Sequence, residues 1–536
     1  MSLVVNVAHR KVLVIEEMAE MRTQLQSALS ASGFQSISMV GSIKEALGKI
    51  ESNVYDLILC DYVFKDGANG QQFLEYLRHG DMLPRNSIFI MITAENGYEN
   101  IITAAECLPD SYLLKPFKIQ EFMNRLSRLL EKQAVLEKVD QAHDAKNWQK
   151  VVAECDKLLS SKDASKTDIY KIKASSLMKL DKATEAIEVY KEALKHKDLP
   201  WATLGMARAH VALNNLEAAE EVTKNLIKNY PKFVMAYDFM AEVLIKANKP
   251  KEAQEVLQNA SNISPINLSR TRQLSTVAMS NGDFELAENT ISKVLKKHKH
   301  SPATSANDYA LLSRAMIEQN KADQALELLR SISGDFDDPH SEIVLAATAS
   351  IAHRKAGNLQ AADLELQRVM PEDHTHLPTH VTSTLAEACF AAGREATATT
   401  MLKHMLQNNP NDLRIECTVR MACAMAGKSM SESSEMILES EREIIKLNNE
   451  GVRKAQAGAY AEATELLVSA ADRLPNNLLI ASNAAFILAA SLAEHKYDDA
   501  HLRKCLQYRQ RIVDKDPLHP KLARIDMMLR KAKAAA

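Results

Sequence analysis

The sequence predicts two fold classes in one chain: a doubly wound α/β domain in the first quarter, then an all-α superhelix of repeated helical hairpins. Three observations predict this. Four short apolar runs near the N-terminus each end in a polar group, the pattern of buried parallel strands that carry their chemistry at their carboxyl ends. No proline occurs between Pro116 and Pro200 and no glycine between Gly97 and Gly205, and a stretch without either punctuator reads as helix. Further on, alanines recur at a nearly constant interval.

The strands come first. Val12-Leu13-Val14-Ile15 ends at the acidic pair Glu16-Glu17. Leu57-Ile58-Leu59-Cys60 ends at Asp61, Ile88-Phe89-Ile90-Met91-Ile92 at Thr93-Ala94, and Tyr112-Leu113-Leu114 at Lys115-Pro116. Parallel neighbours of this kind bring their polar ends to one site. Glu17, Asp61, Thr93 and Lys115 follow one another at spacings of 44, 32 and 22, and Asp61-Tyr62-Val63-Phe64-Lys65-Asp66-Gly67-Ala68-Asn69-Gly70 forms the loop after the third run.

In this order and at these spacings, residues 9–130 resemble the receiver domain of two-component response regulators. The resemblance implies a five-stranded parallel sheet within a domain spanning residues 1–130. It also implies that a sensor histidine kinase phosphorylates Asp61. A carboxylate nucleophile attacking a phosphorus ringed by anionic oxygens needs positive charge around it. The resemblance assigns that charge to Mg²⁺, held by Glu16, Glu17, Asp61 and the backbone carbonyl of Val63, and to Lys115. Thr93 is then the hydroxyl donor to the phosphoryl group, and Tyr112 the aromatic whose rotamer follows it. The chain departs from the family in carrying two glutamates, where the second of the pair is usually aspartate. The extra methylene advances the carboxylate by about 1.5 Å toward a metal with strict octahedral demands. The alternative expectation is therefore a constitutive scaffold whose pseudo-receiver is not phosphorylated.

Residues 118–146 contain neither glycine nor proline, and Phe122, Leu126, Leu129, Leu136 and Val139 fall mostly at three- and four-residue steps. This predicts one helix running out of the first domain through a connector, 131–146, into the first repeat. Pairing with its copy in a homodimer is a second use of the same helix, although its apolar seam is broken at Gln133.

Residues 147–480 carry the repeats. Ala186, Ala219, Ala253 and Ala287 follow one another at spacings of 33, 34 and 34, then Ala325, Ala362 and Ala398 at 38, 37 and 36. A bulky residue follows each (Leu226 and Val294 are examples), and a proline often closes the unit, as at Pro231, Pro265 and Pro410. Small residues are needed where two helices cross closely. The pattern resembles the tetratricopeptide repeat, with eight or nine units, a degenerate first one around Trp148 and Leu158, and a less regular stretch near 412–446. Residues 481–536 are expected to form a helical cap. Solenoids of this kind bind protein partners in a concave groove. The positions that line it by resemblance are Lys171, Arg208, Asp238, Glu242, Arg272, Arg314, Arg354 and Glu387. Such a groove suits a segment bearing acidic residues; the plainer reading is of ordinary solvated charges.

Composition excludes several classes. A net charge of −3 with 25% charged residues gives no reason to expect nucleic acid or a membrane surface as partner. The seven cysteines are scattered, with no CxxC, which predicts reduced thiols in the cytoplasm. No signal peptide is apparent. His374, His376 and His380, and His298 and His300, cluster beside prolines and read as exposed loops rather than metal ligands. No nucleophile–base pairing, phosphate-cradling glycine loop or HExxH occurs, so no enzyme activity beyond phosphoacceptor chemistry is expected.

Overall fold

The computed structural model describes residues 7–64, 69–80, 82–94, 109–160, 166–196, 198–265, 267–297, 303–336, 338–494, 498–516 and 519–535. Residues 65–68 of the loop after Asp61, Cys107, His298 and His300 lie outside the described residues. The chain divides into two compact units. One comprises Met1–Val243, Glu255–Gln273 and Thr290–Ser305; the other comprises Leu244–Gln254, Leu274–Asn289 and Ala306–Ala536. No helix among the described residues is long and apolar enough to cross a membrane.

The first unit opens with five parallel strands, β1 (Lys11–Ile15), β2 (Ser36–Val40), β3 (Leu57–Asp61), β4 (Ile88–Ala94) and β5 (Ser111–Lys115), in the order β2-β1-β3-β4-β5. Alternate side chains build two cores, as a period of two demands. Val12, Val14, Leu57, Leu59, Ile90 and Ile92 lie in one, with Leu25 and Leu29 of α1 (Ala19–Ala31). Leu13, Ile15, Ile58, Cys60, Phe89 and Met91 lie in the other, which also takes residues of α2 (Ile43–Ile50) and α3 (Gly70–His79). Both faces are covered, so the inner strands β1, β3 and β4 are nearly continuous apolar runs, whereas the edge strand β2 alternates Ser36-Ile37-Ser38-Met39. Ser42 caps α2, and an Asn69–Gln72 capping box starts α3, satisfying amides the first helical turn leaves open.

The connector is continuous helix: α4 runs unbroken from Ile119 to Asp144. Phe122, Leu126 and Leu130 seal the sheet, while Val139 and Ala142 pack with Val151 and Cys155 of α5 (Trp148–Leu159). One helix thus closes the sheet domain and forms half of the first hairpin. Gln133, the polar break in its seam, donates to the Asn86 carbonyl and accepts from Arg10.

Helical hairpins follow: α6 (Lys166–Lys179) and α7 (Ala183–His196), α8 (Pro200–Ala212) and α9 (Leu216–Asn229), α10 (Val234–Lys246) and α11 (Pro250–Ile263), and α12 (Leu268–Ser280) and α13 (Phe284–Lys297). They continue with α14 (Ala306–Glu318) and α15 (Ala322–Ser331), α16 (Ser341–Lys355) and α17 (Leu359–Val369), and α18 (Thr379–Ala391) and α19 (Glu395–Asn408). The recurring alanines, from Ala186 to Ala398 and again at Ala463, are all completely buried. Five residues before each sits a turn residue in the left-handed region: Asp181, Asn214, Asn248, Gly282, Asn320, Gly357, Gly393 and Gly458. Asparagine, aspartate and glycine tolerate that backbone best.

The stretch near 412–446 departs from the pattern because two hairpins share a helix. After α20 (Leu413–Met425), α21 (Met430–Gln456) runs for 27 residues from a Ser429–Glu432 capping box. Its first part packs on α20 and its last part on α22 (Tyr460–Arg473). Helices α23 (Leu478–Glu494), α24 (Asp499–Lys515) and α25 (Leu522–Ala535) close the second unit around Ala485, Leu488, Tyr508 and Ile525.

Candidate functional site

Strand register assembles the site. Ile15 pairs with Cys60, Asp61 with Ile92, and Ala94 with Lys115, so Glu16, Asp61, Thr93 and Lys115 all lie at the carboxyl edge of the sheet. Glu16 is completely buried and Asp61 is 9% exposed. The Lys115 ammonium donates to Glu16 Oε2 at 2.8 Å and to Asp61 Oδ2 at 2.6 Å. The other carboxylate oxygens are also engaged: Glu16 Oε1 accepts from the Met18 amide at 3.1 Å and Asp61 Oδ1 from the Tyr62 amide at 2.8 Å.

Burial pushes the Asp61 carboxyl above its ordinary range; Lys115 opposes the rise and Glu16 reinforces it. Burial alone lowers Lys115, but its hydrogen bonds to Asp61 and Glu16 hold it above the usual lysine value, so it remains an ammonium. Burial, then the charges of Asp61 and Glu16, drive the Cys60 thiol well up. It is an inert neighbour rather than a nucleophile.

The remaining predicted residues take different places. Thr93 is buried, and its hydroxyl donates to the Ala94 carbonyl at 3.3 Å. The Tyr112 ring lies in the core with Phe73 and Phe89, and Arg125 donates to its carbonyl. Val63 is exposed. Glu17 is half-buried, and Arg22 donates to its carbonyl and to that of Glu16. Among the described residues no group of three or more His, Cys, Asp or Glu side chains gathers as a metal cluster. The converged pair is Glu16 and Asp61, two carboxylates facing one ammonium. That imbalance fits a further cation at this edge.

Two contributors escaped the sequence reading. A Cβ on Gly70 would lie 2.3 Å from the Asp61 carbonyl oxygen and 2.8 Å from Met91 Sδ, so only glycine lets α3 start against the backbone of Asp61. Arg22 fixes the turn that carries the acidic pair. The glycine closing the loop after Asp61 was the available signal for the first; nothing marked the second.

The groove positions are largely spoken for. In the first unit, Arg270 pairs with Asp238 through two bonds of 2.7 and 2.8 Å. The Arg208 guanidinium sits 5.7 Å from the Phe239 ring centroid, and Arg272 donates to the Ala303 carbonyl at 2.7 Å. Burial, with Glu242 adding to it, moves Asp238 up to about 7, and burial draws Arg270 down to about 10; the paired bonds favour the charged forms of both. In the second unit, Arg314 pairs with Glu387 and Arg354 with Asp363. Lys171 lines a cleft beside α4. Arg270 was not foreseen, yet it stands one repeat after Asp238, where successive first helices face each other.

Comparison with known proteins agrees with this architecture. The family model of the response regulator receiver domain matches residues 12–152, and that of the tetratricopeptide repeat matches residues 177–243. The phosphate regulon transcriptional regulatory protein PhoB of Escherichia coli (strain K12) is 28% identical over 123 residues, 23% of this chain and 52% of that protein, as is PhoB of Klebsiella pneumoniae. The chain thus spans about half the length of the curated relatives it matches. Among solved structures, the receiver domain of the Francisella response regulator 1452 is 28% identical, covering 24% of this chain and 99% of its own, with a TM-score of 0.21. A tetratricopeptide repeat protein from Parabacteroides merdae is 11% identical over 47% of this chain and 97% of its own, with a TM-score of 0.31.

Proposed function

We propose that this protein is a cytoplasmic phosphorelay response regulator, phosphorylated on Asp61 by a sensor histidine kinase, with output through protein contacts of its repeats. The observation that carries the reading is the Lys115 ammonium bridging Asp61 and buried Glu16 at the sheet's carboxyl edge. Asp61 is the nucleophile. Lys115 moves from the carboxylate pair to the incoming phosphoryl oxygens, and Thr93 donates its hydroxyl there. Glu16 and Asp61 are the carboxylates that would hold Mg²⁺, with Glu17 and the Val63 carbonyl as the other ligands. The metal supplies charge that two carboxylates and one ammonium lack. Tyr112 and α4 carry the change away from the site. The exposed groove cations Lys171 and Arg208 recognise a partner segment bearing Asp or Glu.

The test is exposure to a small-molecule phosphodonor with Mg²⁺, read by intact mass. One phosphoryl group on the wild type, none on Asp61→Asn and none without Mg²⁺ is the expected result. An unmodified, folded wild type would overturn the reading. A second reading, a constitutive scaffold with a pseudo-receiver, draws on the paired glutamates Glu16-Glu17, the second standing where the family usually carries an aspartate. It expects no modification and no Mg²⁺ binding.

A further inference from the structure

A cleft of about 570 Å³ opens at the opposite end of the strands from Asp61, where the Arg85–Ile88 segment enters β4 and meets α4 and α6. This volume lies in the range of small-ligand pockets, about 300–1,000 Å³. Leu83, Leu136 and Ile172 give it an apolar wall, and four cations line it: Arg78, Arg85, Lys132 and Lys171. Two of these are already paired, Arg85 with Asp140 at 2.9 Å and Lys132 with Asp168 at 2.8 Å. The third lining carboxylate, Asp110, accepts from the Phe89 amide at 2.8 Å. Among the described residues, Arg78 and Lys171 make no ion pair. Burial holds Lys171 below the ordinary lysine range against the pull of Asp168, with repulsion from Arg78, Arg85 and Lys132 adding to it.

We propose that this cleft binds a small molecule with a phosphate group and an apolar body of about nucleotide size. Four cations against three carboxylates leave the cleft net positive, and the two cations outside the ion pairs, Arg78 from the sheet domain and Lys171 from the first repeats, suit a phosphate. A phosphomonoester carries roughly −1.5 to −2 at neutral pH. Arg78 can fork its oxygens while Lys171 acts as a point charge. The apolar wall then separates such a ligand from bare phosphate. A dianion held by both residues ties the end of α3 to α6, so its binding favours one placement of the receiver on the first hairpin. This site does not depend on the chemistry at Asp61.

The probe is AMP, titrated calorimetrically into the full chain without Mg²⁺, alongside inorganic phosphate and succinate. AMP is expected to bind, and to bind more tightly than either comparison anion. Arg78→Ala with Lys171→Ala is expected to weaken AMP by about tenfold or more, the scale of a lost charge-assisted contact. Asp168→Asn removes a carboxylate from the rim and frees Lys132, so it should tighten AMP, a gain that misfolding cannot produce. No heat with AMP, equal affinity in wild type and the double variant, or weaker binding by Asp168→Asn would each overturn the proposal. Equal binding of AMP and inorganic phosphate would overturn its apolar half.

Discussion

At Lys115 one ammonium serves two carboxylates, and that arithmetic makes it the residue on which the site's stability turns. Removing it by Lys115→Met leaves Glu16 and Asp61 facing each other without compensation. The expected cost is about 3–5 kcal/mol, as for other broken buried pairs, read by urea unfolding at neutral pH, together with loss of phosphorylation. Gly70→Ala pushes a methyl group into the Asp61 carbonyl. A loss of about 1–3 kcal/mol is expected, with slower modification of Asp61 by the phosphodonor. In the second unit, burial raises the Glu387 carboxyl and Arg314 opposes the rise. The folded state therefore keeps this proton to higher pH than the unfolded chain does. The group's contribution is greatest below the ordinary glutamate value of about 4.3 and declines as pH rises through the window above it. Glu387→Gln, which still accepts from Arg314, should flatten the fall in Tm across that window. At this scale Glu16, Asp61, Thr93 and Lys115 were legible because a polar residue ending an apolar run announces itself. Arg270 was not, since a sequence does not show that an arginine is buried. Its fixed offset from Asp238 has meaning only once the repeat is placed in space.

Among the elements, α4 was legible and α21 was not, for one physical reason. An absence of glycine and proline predicts a long helix, but it cannot say how many layers that helix serves. α4 spends its first half on the sheet and its second on α5. Val135 is exposed near the changeover, so Val135→Pro tests the helix without disturbing a core. A loss of about 3 kcal/mol or more is expected from the broken backbone, seen as faster amide exchange between Gln133 and Val139. The turns offer a gentler test. Asn214 has φ of 56°, and Asn214→Ala should cost about 1 kcal/mol, whereas Asn214→Gly should be neutral or better. The two thermal melts compare directly. The alanine period revealed the repeats because close helix crossings admit little else. The left-handed turns went unread because aspartate, asparagine and glycine alternate there, and only the shared backbone angle unites them.

For the whole molecule, the order of the parts could be read from the sequence: a sheet domain, a helical exit, then the hairpins. Segment length and punctuation survive without coordinates; pairing between distant side chains does not. The charges assigned to a binding groove illustrate the limit. Arg314 and Glu387 stand two repeats apart in the chain and engage each other, which removes both from any free surface. If phosphorylation of Asp61 is relayed through α4, amide exchange along that helix will change with a phosphodonor in the wild type and stay constant in Asp61→Asn. The shared helix α21 carries a different consequence. Because it belongs to two hairpins at once, those hairpins are phase-locked. One residue inserted near its middle would turn everything beyond it by about 100° and advance it by about 1.5 Å, swinging Ala463 and Leu467 out of register with their pockets. Elsewhere in the array a turn absorbs a change in length, and the wider spacings from Ala287 to Ala398 show that it has. Through α21 the chain can lengthen or shorten only by nearly whole helical turns.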